Sequence, residues 1–152
     1  MKLMNSLFLV AVFFCAPIAS AQEIDRREIE ASAMAVLDEF IRSFSAMDAK
    51  AHIATYHFPH YRLARGVMNV TETAEEGVRQ HQQLFKKLPD TGWFKSVWVD
   101  REVTNISETK VHVKTRFRRL REDGSEIGTY NSLYILQKIK GRWGIKMRSS
   151  FL

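Results

Sequence analysis

From Ile29 onward the apolar residues Ile29, Ala33, Val36, Leu37, Phe40, Ile41, Phe44 and Met47 fall at steps of three and four. That spacing predicts one buried face of a helix about 20 residues long. Asp48 follows, a residue whose carboxylate accepts from free backbone N–H groups at a helix start, so a second, short helix is expected over 49–56. Pro59 is expected to end it, because the residue before a proline is pushed out of the helical region. Residues 60–70 then read as an extended segment. Thr73-Ala74-Glu75-Glu76 forms a capping box that opens a third helix, with Val78, His81, Phe85 and Leu88 on one stripe and Leu88-Pro89-Asp90-Thr91-Gly92 as its end.

Beyond Gly92 the period changes from about 3.6 to two. Val97, Val99 and Val103 alternate with Trp98 and Asp100, and Val111, Val113 and Phe117 alternate with His112, Lys114 and Arg116. Leu133 and Ile135 alternate with Tyr130, Tyr134 and Leu136, and Trp143, Ile145 and Met147 with Gly144, Lys146 and Arg148. With Asp123-Gly124 and Lys140-Gly141 as turns, this is a four-stranded antiparallel meander. Helix, short helix, extended segment, helix and meander together predict an α+β domain with three helices on one face of the sheet.

The N-terminus changes the picture at one end. Met1-Lys2 is basic, residues 7–14 (LFLVAVFF) are an apolar run too short for a mature membrane span, and Ala19-Ser20-Ala21 offers small residues at the spacing read by a signal peptidase. Residues 1–21 are therefore expected to be a cleaved signal peptide, leaving residues 22–152 as a single secreted or periplasmic domain with no membrane span. Cys15 is the one cysteine and falls in that leader, so neither a disulfide nor a thiolate nucleophile is expected in the domain. The formal charge is +6, and its densest cluster is residues 110–121 (KVHVKTRFRRLR). Alternating basic residues on a strand are read as its wet face, and Glu122, Asp123 and Glu126 follow at once, so no nucleic-acid partner is expected.

The stretch YHFPHYRLARG, residues 56–66, concentrates acid/base side chains. His60 and Arg62 share strand parity and project to one side, with Tyr61 and Leu63 on the other. Facing a cavity they would offer a cation and a tunable proton carrier to a carboxylate or enolate; facing solvent they would mean little, and parity leaves the choice open. His81 lies on the apolar stripe of the third helix, either as a hydrogen-bonded partly buried residue or as a pocket group. Trp93 at the following junction either closes a cavity mouth or packs as a plug. His57 and His60 lack ligand-like spacing around Pro59, and no metal or other cofactor is implied. Ser149-Ser150 have no evident histidine and acid partners, and no phosphate-binding glycine loop is present.

In order of elements, and in FIRSFSAMD (40–48), HFPHYRLARG (57–66) and the ending YNSLYILQKIKGRWGIKMRSSF (130–151), the chain resembles the NTF2-like superfamily, which includes SnoaL-like proteins, ketosteroid isomerase and scytalone dehydratase. The resemblance implies an NTF2-like cone: a curved antiparallel sheet with three N-terminal helices packed on its concave face. Ketosteroid isomerase chemistry would need a tyrosine where Phe40 stands and a carboxylate near Leu63 or Ala64. The Asp-Arg-Asp set of limonene-epoxide-hydrolase-like members finds Arg62 and Asp100 but no third residue. Scytalone dehydratase combines histidines with tyrosines, and those types occur here as His57, His60, His81, Tyr61 and Tyr130.

The resulting expectation is an exported protein that binds a small polar or anionic ligand in its cone, through His60, Arg62, His81 and Trp93, without a complete catalytic set. Two alternatives stand beside it. One is a small lyase or isomerase, dehydratase- or cyclase-like, with His60 or His81 as proton carrier and Arg62 stabilising an oxyanion. The other is a non-catalytic dimerising interaction module. Large apolar groups on both faces of the strands predict a homodimer through the outer face of the sheet, with Trp98, Tyr130, Tyr134 and Leu136 as the contact.

Overall fold

The computed structural model describes residues 18–151, with side chains from Asp25 onward. Most of the expected signal peptide lies outside the described residues, and the expected cut after Ala21 falls in the first turn of the first helix. Helix α1 spans Ile18–Ser45, α2 Ala49–Ala54 and α3 Ala74–Lys87. The strands are β1 Tyr56–Ala64, β2 Val67–Thr71, β3 Lys95–Ser107, β4 Lys110–Leu120, β5 Glu126–Ile139 and β6 Arg142–Phe151. No described helix is long and apolar enough to cross a membrane.

Local chemistry explains the boundaries. Asp48 caps α2 by accepting from the Ala51 N–H at 3.0 Å. Thr55 closes that helix through its hydroxyl, which donates to the His52 carbonyl at 2.7 Å, and its own carbonyl accepts from Ile145 N–H of β6 at 2.8 Å. The chain is thereby drawn into the sheet at Tyr56, earlier than Pro59 was expected to act; Pro59 sits inside β1 after a cis peptide bond. The extended segment is in fact a hairpin, β1 and β2, turning at Arg65 and Gly66 with φ of 53° and 74°, where glycine tolerates the left-handed region. Thr73 caps α3 by accepting from Glu76 N–H, while the Glu76 carboxylate reaches back to the Glu72 N–H.

The sheet has six strands in the order β2-β1-β6-β5-β4-β3. Its meander is antiparallel, but β1 joins it parallel to β6, so the sheet is mixed. The hydrophobic core unites Leu37 and Phe40 of α1 with Ile53, Tyr56, Val111, Val113, Tyr134, Leu136 and Ile145. A second cluster joins Ala49, Phe85, Leu88 and Trp93, with Phe44 against it. Phe40 and Phe44 lie one turn apart on α1, one against each cluster, and both line a cavity.

One irregularity decides which side chains enter that cavity. Ile135 pairs with Met147 but the next residue, Leu136, pairs with Ile145, leaving Lys146 as an extra residue in β6. A bulge of this kind inverts the alternation. Ile145 and Arg148 consequently both turn to the helix-covered face, and Met147 to the opposite one.

Candidate functional site

The cavity has a volume of about 340 Å³ and is walled by Phe40, Ile41 and Phe44 of α1, His52 of α2, His81 and Leu84 of α3, and the concave face of the sheet, within the size range of small-molecule pockets. From β1 come Tyr56, His60 and Arg62; from the other strands Trp98, Phe117, Arg119, Tyr134 and Arg148. Asn69, Thr71 and Gln80 add polar groups.

His60, Arg62 and His81 therefore meet on one cavity. Trp93 does not join them: it is buried in the second core cluster, edge-on to Phe44, and its indole N–H donates to Ser96 Oγ at 3.1 Å. The residues assigned to a dimer face also need reassigning. Trp98 and Tyr134 line the cavity, Leu136 is fully buried in the core, and Tyr130 stacks on Phe117. Parity had separated Leu133 and Ile135 from Tyr130, Tyr134 and Leu136, but only the packing of helices shows that the tyrosine side is the inner one. Asp100 pairs with Arg116 and neither lines the cavity.

Three guanidinium groups, those of Arg62, Arg119 and Arg148, share this cavity, and among the described residues no Asp or Glu lines it. Among the described residues none of the three forms a salt bridge. Arg148 is held by aromatic faces, 5.1 Å from the centroid of Tyr134 and 5.3 Å from that of Phe117, and by donation to Ser132 Oγ at 3.2 and 3.3 Å. Arg119 lies over the Tyr130 ring at 5.2 Å. Desolvation against the cavity wall, and then the neighbouring Arg148 charge, pull Arg62 below its ordinary pKa although its side chain reaches the surface; burial does the same to Arg119. Such a cluster raises the local anion affinity because low-dielectric walls weaken screening.

The histidines are neutral by contrast. Burial lowers His60 to about 4, and pushes His52 and His81 down as well. Their hydrogen bonds assign tautomers: His60 Nδ1–H donates to the Ile145 carbonyl at 3.1 Å, and His81 Nδ1–H to the Gly77 carbonyl at 3.0 Å. Each thus keeps an Nε2 lone pair without a hydrogen-bond partner among the described residues. His52 is spent differently, donating from Nδ1 to the Phe40 carbonyl and accepting at Nε2 from the Tyr56 hydroxyl at 3.1 Å. Tyr56 in turn stacks on His60 with centroids 4.0 Å apart. Among the described residues no three His, Cys, Asp or Glu side chains are grouped to hold a metal ion.

Arg119 and Arg148 are the residues that sequence reasoning missed. Arg119 shares parity with Phe117, Val113 and Val111, so a charge on an apolar face was the available signal. Arg148 offered none, since the bulge at Lys146 inverts its side.

A mixed sheet curved around helices and a polar-lined cavity defines an α+β cone-fold protein. The chain belongs to a family of that class: residues 27–148 match the model described as NTF2-like protein (DUF6841). Among solved structures it is similar to an NTF2-like protein with a cystatin-like fold from Novosphingobium aromaticivorans, at 10% identity and a TM-score of 0.73, covering 90% of each chain. It also resembles an NTF-2 like protein of unknown function from Shewanella oneidensis, at 17% identity over 80% of this chain and 97% of that one, TM-score 0.64. A ketosteroid isomerase-like protein from Erwinia carotovora atroseptica matches at 20% identity over 80% and 95%, TM-score 0.60. At these identities the likeness is one of fold. No functionally curated protein matches significantly.

Proposed function

We propose that this chain is an exported NTF2-like protein that holds a small anionic molecule in its cone and lacks a complete catalytic set. The observation that carries the reading is the trio Arg62, Arg119 and Arg148 on one cavity with no carboxylate among its described walls. Apolar walls from Phe40, Phe44, Trp98 and Phe117 would take the rest of the ligand, and three uncompensated cations select its charge. An interaction module with a filled interior fits less well with a cavity of about 340 Å³.

A second reading rests on the unpartnered Nε2 atoms of His60 and His81. A neutral imidazole beside guanidinium groups is equipped to move a proton from carbon or oxygen while the cations stabilise the resulting oxyanion, the chemistry of a small lyase or isomerase. Among the described residues no acid that would orient either imidazole lines the cavity, which is why binding is preferred.

Export and self-association belong to the same proposal. The leader-like residues 1–21 motivate the first. For the second, Leu133, Ile135 and Met147 lie on the face opposite Tyr134 and are only partly buried, so the outer-face dimer is proposed with these residues in place of Trp98, Tyr130, Tyr134 and Leu136.

Native mass spectrometry of protein purified from its own host tests all three. The expected spectrum is a dimer of chains beginning at Gln22 with a retained anionic molecule, absent from an Arg119→Gln/Arg148→Gln variant. A bare protein that also takes up no small organic acid would overturn the binding reading.

A further inference from the structure

The cavity is chemically uneven, and the unevenness has a direction. Strand order sets this direction: His60 and Arg62 stand on β1 and His81 on α3, Arg148 stands on the neighbouring β6, and Arg119 lies across the sheet on β4. The imidazoles therefore occupy the flank formed by β1 and α3, Arg119 the flank formed by β4, and Arg148 the ground between. Two buried donors on the second flank, Arg119 Nε and the Tyr134 hydroxyl, have no hydrogen-bond partner among the described residues. A buried donor without an acceptor is costly, so a ligand oxygen that reaches Arg119 Nε and the Tyr134 hydroxyl is favoured there. On the first flank, inside the Arg62 guanidinium at the mouth, stand groups of the opposite kind, the acceptor Nε2 atoms of His60 and His81.

Resting on the anion-binding reading, we infer that the cavity is built for a two-ended ligand, an aryl or conjugated carboxylic acid carrying a hydroxyl at its far end. The carboxylate sits against Arg119, Arg148 and Tyr134, where both its oxygens meet donors. The hydroxyl points the other way and donates to a histidine Nε2. Between them the flat body lies along the rings of Phe40 and Phe117, which Arg148 already faces at 5.9 and 5.3 Å. A simple anion would satisfy one flank and leave the imidazole lone pairs unmet; a neutral phenol would do the reverse.

Isothermal titration calorimetry of the mature full-length chain with 4-hydroxycinnamate, cinnamate and methyl 4-hydroxycinnamate separates these contributions. The hydroxy acid is expected to bind most tightly, with the ester and cinnamate each weaker by about tenfold or more, because a site built for a polar group rejects an analogue that lacks it. In Arg119→Gln, and in the milder Tyr134→Phe, the preference for acid over ester shrinks while the preference for the hydroxyl stays. In His60→Leu/His81→Leu the pattern reverses. Equal affinity for 4-hydroxycinnamate and cinnamate in the unmodified protein overturns two-ended recognition and leaves the anion reading standing. Equal affinity for acid and ester, or no binding of any probe at millimolar concentration, overturns both.

Discussion

Arg62 of β1 and Arg148 of β6 are register partners across the parallel pair of the sheet, and both side chains line the same cavity. Two like charges set side by side without a carboxylate are unfavourable for the ligand-free fold and favourable for an anion. Replacing Arg62 by Gln is therefore expected to raise the melting temperature of the empty protein. Arg62 reaches the exposed mouth of the cavity, so screening limits the gain to a few tenths of a kcal/mol, about 1–3 °C. The same change should weaken binding of organic acids. Thermal melts with and without 4-hydroxycinnamate check both signs; a variant less stable than the parent in the absence of ligand would refute the repulsion.

Acid should destabilise the protein through its histidines. His52, His57, His60 and His81 all have folded-state pKa values below the ordinary 6.5, burial being the largest cause in each, with His60 down to about 4. A depressed pKa means that the unfolded chain binds protons the folded chain refuses, so the stabilisation is complete above about pH 6.5 and is lost as pH falls toward 4. Urea midpoints measured across that window should decline with falling pH, and His60→Gln should flatten the decline.

Arg142 fastens the beginning of β1 to the β5–β6 turn without touching the cavity. Its guanidinium donates to the Ala54 carbonyl at 3.0 Å, the Tyr56 carbonyl at 2.8 Å and His57 Nδ1 at 2.8 Å, while His57 Nε2–H donates to the Gln137 and Arg142 carbonyls at 3.1 Å. Arg142→Ala is expected to lower stability by about 1–3 kcal/mol, since several acceptors lose their donor at once. Gly144→Ala should act on the same latch, because a Cβ there would lie 2.7 Å from His57 Cδ2. Neither change should alter the ligand preference of the folded protein, which titration can verify.

The tryptophans report separately. Trp98 lines the cavity and donates its indole N–H to the Leu37 carbonyl at 3.3 Å, whereas Trp93 is 4% exposed in the second core cluster. A non-absorbing organic acid such as cyclohexanecarboxylate should change the emission of the parent and of Trp93→Phe. In Trp98→Phe the response should vanish.

Self-association through the open face of the sheet predicts that Ile135→Lys or Met147→Glu yields a monomer in analytical ultracentrifugation, with circular dichroism unchanged. Tyr134→Phe, on the inner face, should leave the association state alone. The opposite assignment would return the dimer contact to the tyrosine side.

Local patterning was enough for the helices, the meander and the class of fold. The α1 stripe, the Asp48 and Thr73 caps and the two Gly turns are short-range devices, read correctly because each is decided within a few residues. Residues 130–151 and the order of elements also carried the family. His60, Arg62 and His81 could be picked out as candidates, since a polar group on an apolar stripe is visible in one dimension. Three things were not visible there. Pairing of β1 with β6 spans more than 80 residues, so the strand starting at Tyr56 could not be told from a helix end. The bulge at Lys146 depends on how β5 and β6 register, and it alone turns Arg148 inward. Which face of the sheet the helices cover is a matter of packing, and it moved Trp98 and Tyr134 from the surface to the cavity wall. The convergence of three arginines is thus a tertiary fact, produced by long-range strand pairing and not by any motif.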